Sequence, residues 1–464
     1  MGLSENLETP ITGVRISTVV PGKSRGETRE DHELTNKDLA LKLHYIKGVY
    51  FFKSTTTTTS TSDDDHDHDQ LVLSSVAEMK NPMFPLLDRF FVAAGRIRRR
   101  SDDSERPYIM CNDAGVRIVE ACCDKTVDEW LAEFGSNNYI NNFNQGLCYD
   151  QVLGPDLGFS PLVYLQFTWF KCGGLSVGLS WAHLLGDVLS SSTFIKTWAQ
   201  IMTGHVPEKP LHLPSCAKLP EDSSPHLVIP KRPFSAKELD PVGNHWKLTV
   251  NNCQNMRTHS FSVTSKQLDL LRSNTCGKKA AYFSRFEILS AVIWKSLSRM
   301  RENIGAKVVT VCWYDSSCGA ENYEIPNNKS MMMSTVEADL EVDVPELAFF
   351  ISKKRIVDNY AIEKMVGKEI DQKLVDYFVY GANLTFVDLE EVDIYGVEVK
   401  GQKPVFASYT IDGVGEEGLV LVLPAGPKYG HEGEDLNGRT VTVVLPKDEI
   451  ARLENELEAY WTIA

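Results

Sequence analysis

His183 and Asp187 stand four residues apart in "GLSVGLSWAHLLGD" (174–187), directly after an apolar run that alternates like a strand. Moving an acyl group from a thioester to an alcohol or amine needs a general base. Neutral imidazole suits the task, since its ordinary pKa of about 6.5 lies near working pH. At the end of a strand, where a helix begins, such a histidine can project into a channel between domains. Asp187 can orient the imidazole only if the helix already includes His183. Otherwise it points elsewhere and anchors the turn. The bland reading is a packed histidine beside Trp181, because a four-residue spacing alone constrains function weakly.

The elements around this pair follow from periodicity. "SPLVYLQFTWFKCGGLSVGLSWAH" (160–183) reads as two strands turning at Gly173-Gly174, and from Leu184 to about Thr203 the period becomes helical. Upstream, "LTNKDLALKLHYIKGVYFF" (34–52) predicts a short helix and then a strand. Residues 71–97 look helical, interrupted at Pro82 and Pro85. "PYIMCNDAGVRIVEA" (107–121) predicts a strand pair about an Asn-Asp-Ala-Gly turn. A proline-rich, aperiodic stretch at 204–245 reads as a linker. Beyond it, "SRFEILSAVIWKSLSRMRE" (284–302) is the clearest helix, with Ser284 and Glu287 in capping-box spacing and Phe286, Leu289, Ile293, Leu297 and Met300 on one face. Two late strands and an amphipathic helix close the chain.

Composition narrows the function classes. A chain of 464 residues, 42% hydrophobic and 24% charged, is globular and too long for one core, which predicts two domains. A net charge of −15 argues against nucleic acid as a partner. The basic run "GRIRRR" (95–100) reads as a solvated helix end. Ten scattered cysteines without CxxC spacing read as reduced thiols. There is no signal-peptide pattern and no apolar run near the ~18 residues that span a bilayer. The tract "STTTTTSTSDDDHDHDQ" (54–70) reads as a disordered insert. Its aspartates and histidines hold no fixed geometry, so no metal site is expected.

"SWAHLLGD", "AAGRI" upstream, "CNDAGV" between them and "FEILSAVIWK" after the linker recur in one order, and that ordered set resembles the plant BAHD acyltransferases. The resemblance covers about residues 14–460. It implies an α/β fold of two similar mixed-sheet domains of the CoA-dependent acyltransferase type, with an interdomain channel. The expected layout is an arm at 1–13, an N-terminal domain at 14–203 carrying the insert, the 204–245 linker and a C-terminal domain at 246–464. It gives His183 the general-base role and makes Asp187 structural, turned away from the histidine and paired with an arginine of the second domain.

Two features depart from that pattern. The family's DFGWG signature is replaced by Glu398-Val399-Lys400-Gly401-Gln402 within "YGVEVKGQKP" (395–404). The segment that should carry the arginine, "KVVTVCWYDSSCGAENYEIPNNKS" (307–330), contains none. Together with "LALKLHYIKGVYFFK" and "YGANLTFVDLEEVDIYGVEVKGQKP", these departures resemble the eceriferum/glossy branch of cuticular wax formation. That likeness implies an accessory protein of very-long-chain fatty acid elongation, partnered with a 3-ketoacyl-CoA synthase and otherwise a monomer. It would work at the cytosolic face of the endoplasmic reticulum through that partner, or in the cytosol. No cofactor is implied, acyl-CoA being a substrate or ligand. Two readings stay open beside it: an active acyltransferase using His183, and a silent acyl-CoA carrier.

Overall fold

The computed structural model describes residues 10–24, 26, 31–54, 75–101, 105–135, 144–206, 235–248, 255–276, 282–301, 307–315, 330–339, 341–366, 375–427 and 437–463. The threonine- and aspartate-rich tract from residue 55 onward and linker residues 207–234 lie outside them.

Two mixed sheets carry the architecture. The first has six strands in the order Ile11–Val19, Val116–Cys123, Val163–Phe170, Leu175–Ala182, Tyr45–Phe52 and Phe406–Asp412. Within it, Val163–Phe170 and Leu175–Ala182 form the expected antiparallel hairpin, and Val116–Cys123 runs parallel to Val163–Phe170. Every residue of Tyr45–Phe52 and of Leu175–Ala182 is buried. These two strands lie side by side in the sheet interior and are covered on both faces, which is why they read as nearly unbroken apolar runs.

The second sheet has seven strands, in the order Met256–Val263, Arg439–Pro446, Leu419–Pro424, Leu384–Asp388, Val308–Asp315, Ser330–Glu337 and Ile356–Val357. The helix Arg285–Met300 packs on one face of this sheet with Val344–Lys353 and Lys447–Trp461. Its capping box is formed as its sequence predicts: Glu287 N donates to Ser284 Oγ at 3.1 Å and Ser284 N to Glu287 Oε2 at 2.8 Å.

The two halves are stitched by the strand Phe406–Asp412, which comes from the second half of the chain but pairs with Tyr45–Phe52 in the first sheet. Ser408 Oγ lies 3.2 Å from Thr442 Oγ1 of the second sheet, and the hydroxyls of Tyr50 and Tyr409 meet at 2.6 Å. One apolar core therefore runs through both halves, joining Trp181, Phe194 and Trp198 to Met333, Tyr380 and Leu421.

Two local expectations are corrected. Pro107–Met110 and Val116–Cys123 are both strands, but they do not pair with each other. Pro107–Met110 joins a separate three-stranded sheet with His32–Glu33 and Arg96–Arg99. The intervening Asp113 and Gly115 have φ of 53° and 81°, and Gly115 N donates to Ala94 O at 2.9 Å, so the segment crosses between sheets instead of reversing. The "GRIRRR" run is likewise a strand and not a solvated helix end. Arg96 is buried, and its guanidinium donates to the carbonyls of Gly95, Gly115 and Ala114 at 2.7, 2.9 and 3.2 Å. Burial pushes it down to about 10.

Candidate functional site

The strand Leu175–Ala182 delivers His183 to the seam between the halves. The chain then makes one 3-10 turn, His183–Leu185, and enters the helix Val188–Met202. Gly186 makes this reversal possible: its φ is 133°, and a Cβ there would lie 2.6 Å from Ser190 Oγ. Trp181 Nε1 donates to Gly186 O at 3.1 Å and ties the turn back onto the strand.

Because His183 precedes the helix, Asp187 does not orient it. Asp187 is the N-cap, and its Oδ1 accepts from Ser190 N at 3.1 Å. This is the second of the two arrangements open from the sequence, without the arginine. Where the strand Val308–Asp315 was expected to supply that cation, Tyr314 reaches the same helix end and accepts from Leu189 N at 3.3 Å. The cation whose charge acts on Asp187 is Lys37, which favours its ionised form against a larger upward push from burial. Lys37 is itself buried, and its ammonium donates to Met331 O at 2.6 Å across the seam. Since the carboxylate serves as an acceptor, Asp187→Asn should keep the cap and hold stability within about 0.5 kcal/mol. Asp187→Ala should cost about 1–2 kcal/mol. Urea unfolding of the two variants checks this, and equal losses would refute the capping role.

His183 is only 2% exposed. Its Nε2 lies 2.9 Å from the hydroxyl of Tyr380, and that hydroxyl also donates to Met331 Sδ at 3.5 Å. The imidazole Nδ1 is buried with no hydrogen-bond partner. Burial, the largest cause, holds His183 down at about 3, and the Lys37 charge adds to the effect. A second buried histidine stands beside it. His44 O accepts from His183 N at 3.1 Å, and His44 Nε2 accepts from the backbone N–H groups of Val379 and Tyr380 at 3.0 and 3.3 Å. It too is held at about 3, by burial first and then by His183. The ring of Tyr380 packs edge-on to His44, with centroids 4.9 Å apart.

The site is therefore a closed cluster: His183, His44, Tyr380, Met331, Lys37, Asp187 and Tyr314. The sequence singled out His183 and Asp187. His44 and Tyr380 stood within stretches quoted for the family resemblance, but neither was singled out. Lys37 sits in a short amphipathic helix and gave no signal. A surface pocket of about 520 Å³ lies elsewhere, lined by Ile97, Arg98, Arg99, Pro155, Asp156, Leu157, Gly158 and Asn244, and shares no residue with the cluster. Among the described residues no group of three or more His, Cys, Asp or Glu could hold a metal.

The segment in place of DFGWG is a tight two-residue turn. Val399 and Gln402 exchange backbone hydrogen bonds at 2.9 and 3.0 Å, and Lys400 and Gly401 have φ of 51° and 78°, as a type I′ turn requires. Lys400 reaches Glu78 at 3.1 Å. Among the described residues, no helix is long and apolar enough to cross a membrane.

Comparison with known proteins shows what the fold and the sequence are similar to. The fold is similar to the crystal structure of vinorine synthase, with a TM-score of 0.66, 19% identity and coverage of 97% of this chain and 98% of that one. Protein ECERIFERUM 2 of Arabidopsis thaliana is 41% identical, covering 97% of this chain and 98% of its own length. Protein ECERIFERUM 26 of the same plant is 35% identical over 98% and 97% of the respective chains. The model of the transferase family matches residues 9–460. The chain thus belongs to the transferase (BAHD) family, alongside the ECERIFERUM proteins.

Proposed function

We propose that this protein is an accessory factor of very-long-chain fatty acid elongation for cuticular wax. It would act with a 3-ketoacyl-CoA synthase of the endoplasmic reticulum and would not transfer acyl groups itself. The observation that carries the reading is the state of His183. A general base must meet both the acceptor and solvent-borne protons, yet this imidazole is 2% exposed and held near 3, where it stays neutral but is a poor base. The hairpin turn in place of DFGWG and the absence of arginine from residues 307–330 support the same reading. So does full-length similarity to the ECERIFERUM proteins. Long-chain acyl-CoA would be a ligand, and any membrane attachment would come through the partner.

The test is the chain-length profile of fatty acids in cells that carry a plant condensing enzyme. Wild type and His183→Ala should lengthen the products equally, and neither should act without the condensing enzyme. Lengthening by wild type alone would replace this reading with acyl transfer by His183.

A further inference from the structure

We infer that Tyr380 occupies, from within the chain, the place an acceptor hydroxyl would take at His183, so that the acyl-transfer centre is stoppered rather than dismantled. This rests on the reading that the wild-type protein does not transfer acyl groups, and it names the cause. A phenol is an alcohol-class acceptor, and this one lies at hydrogen-bond distance from Nε2. It is also firmly placed. Gly415 N donates to Tyr380 O at 2.9 Å, His44 Nε2 accepts from the N–H groups of Val379 and Tyr380, and the ring packs against both imidazoles, with centroids 4.9 and 5.4 Å away. The following Gly381 has φ of 81°, and its Cβ would fall 2.4 Å from Gly415 N, so the loop bearing the tyrosine is fitted to its neighbour.

Tyr380 is a stopper and not a nucleophile. Burial pushes the phenol well above 10 while His183 is held at about 3. Burial opposes both the phenolate and the imidazolium, so it opposes proton transfer between them. Removing the ring would leave a cavity with Nε2 on its wall, and water entering there would relieve the desolvation that makes His183 a poor base. A phenol of the deleted size could refill it. In the step that follows, the phenol oxygen bonds to the acyl carbon of acetyl-CoA as the C–S bond breaks. The phenol proton passes to Nε2 and from there to the departing sulfur, giving an aryl acetate and free CoA.

The experiment uses the full-length chain, acetyl-CoA and p-cresol, the tyrosine side chain as a free molecule. Wild type should release no CoA, and its Tm should not respond to p-cresol. Tyr380→Ala should gain several degrees in Tm with p-cresol and release CoA at least tenfold faster than wild type, with cresyl acetate as product. Adding His183→Ala should keep the Tm response and abolish the release. If p-cresol raises the Tm of Tyr380→Ala but CoA release stays at the wild-type level, the proposal is overturned, while the accessory reading stands. CoA release by wild type would sink the accessory reading, and acetylation of wild-type Tyr380 would show the tyrosine to be an acceptor. Should Tyr380→Ala fail to fold even with p-cresol, Tyr380→Leu admits water as acceptor, and hydrolysis no faster than wild type overturns the proposal.

Discussion

Lowering the pH from 7 to 4.5 is expected to remove several kcal/mol of stability through His44 and His183. Both are held at about 3 against an ordinary 6.5, mainly by burial. The folded state therefore keeps them neutral while the unfolded chain takes up a proton at each below 6.5. Their stabilisation is fully present above that value, falls as the pH drops, and is exhausted near 3. At pH 4.5 the deficit is two pH units, or about 3 kcal/mol for either histidine taken singly. That is a large share of the whole stability of many proteins.

Buried carboxyls oppose the trend. Asp38, Asp187, Asp358 and Asp388 are raised by burial, Asp388 to about 7, so their protonation favours the folded state as the pH falls. A single profile sums both effects, and a variant separates them. His183→Gln does not titrate, and its amide can either donate to or accept from the Tyr380 hydroxyl. Unfolding free energies of wild type and variant from urea titrations should converge by about 3 kcal/mol between pH 7 and 4.5. A difference between them that does not change with pH would show that His183 is not buried in the neutral form.

Gly178→Ala should be among the most damaging single substitutions near the site. Gly178 sits in the interior strand Leu175–Ala182, between Val49 and Gln166 of its neighbours. A Cβ there would lie 1.8 Å from Leu147 O, a contact with backbone that no rotamer change relieves. The segment around Leu147 lies against the strands because several groups hold it there. Gln166 Nε2 donates to Gly146 O and Ser180 Oγ to Tyr149 O, each at 2.6 Å, and Cys148 Sγ donates to Gly48 O at 3.3 Å. Alanine must break these bonds or bend the strand that carries His183, at a cost of about 3 kcal/mol or more. Gly204→Ala is the comparison. Its φ is 88° but nothing lies within 4 Å, so it should cost about 1 kcal/mol from backbone conformation alone. Calorimetric Tm values for the two variants decide the matter, and similar losses would mean that the strand accommodates a Cβ at Gly178 without breaking its contacts.

These expectations follow from how the site is enclosed. The imidazole of His183 has the residue type for acyl transfer, and the fold buries it. Tyr380 covers Nε2, and the buried Lys37 charge works against an imidazolium. Asp187, the other half of the motif, serves the helix it begins.

Local order was readable from the sequence alone. The strand pair turning at Gly173-Gly174, the Ser284–Glu287 capping box and the period change after His183 depend on neighbours within a few residues, so sequence spacing carries them. The same holds for the ordered motifs that place the chain in its family. The hairpin expected at 107–121 failed because pairing is a tertiary choice. Both strands exist, but each finds a better partner in a different sheet. Arg96 misled for a similar reason: only the fold shows that three backbone carbonyls surround its guanidinium.

The state of His183 was likewise beyond local reading. Tyr380 is 197 residues away along the chain, and His44 and Lys37 come from a third segment. Spacing could identify a base but not its desolvation, because burial is set by what the rest of the chain packs over it. A histidine motif specifies a residue, whereas the pKa and access that make it a catalyst belong to the folded seam.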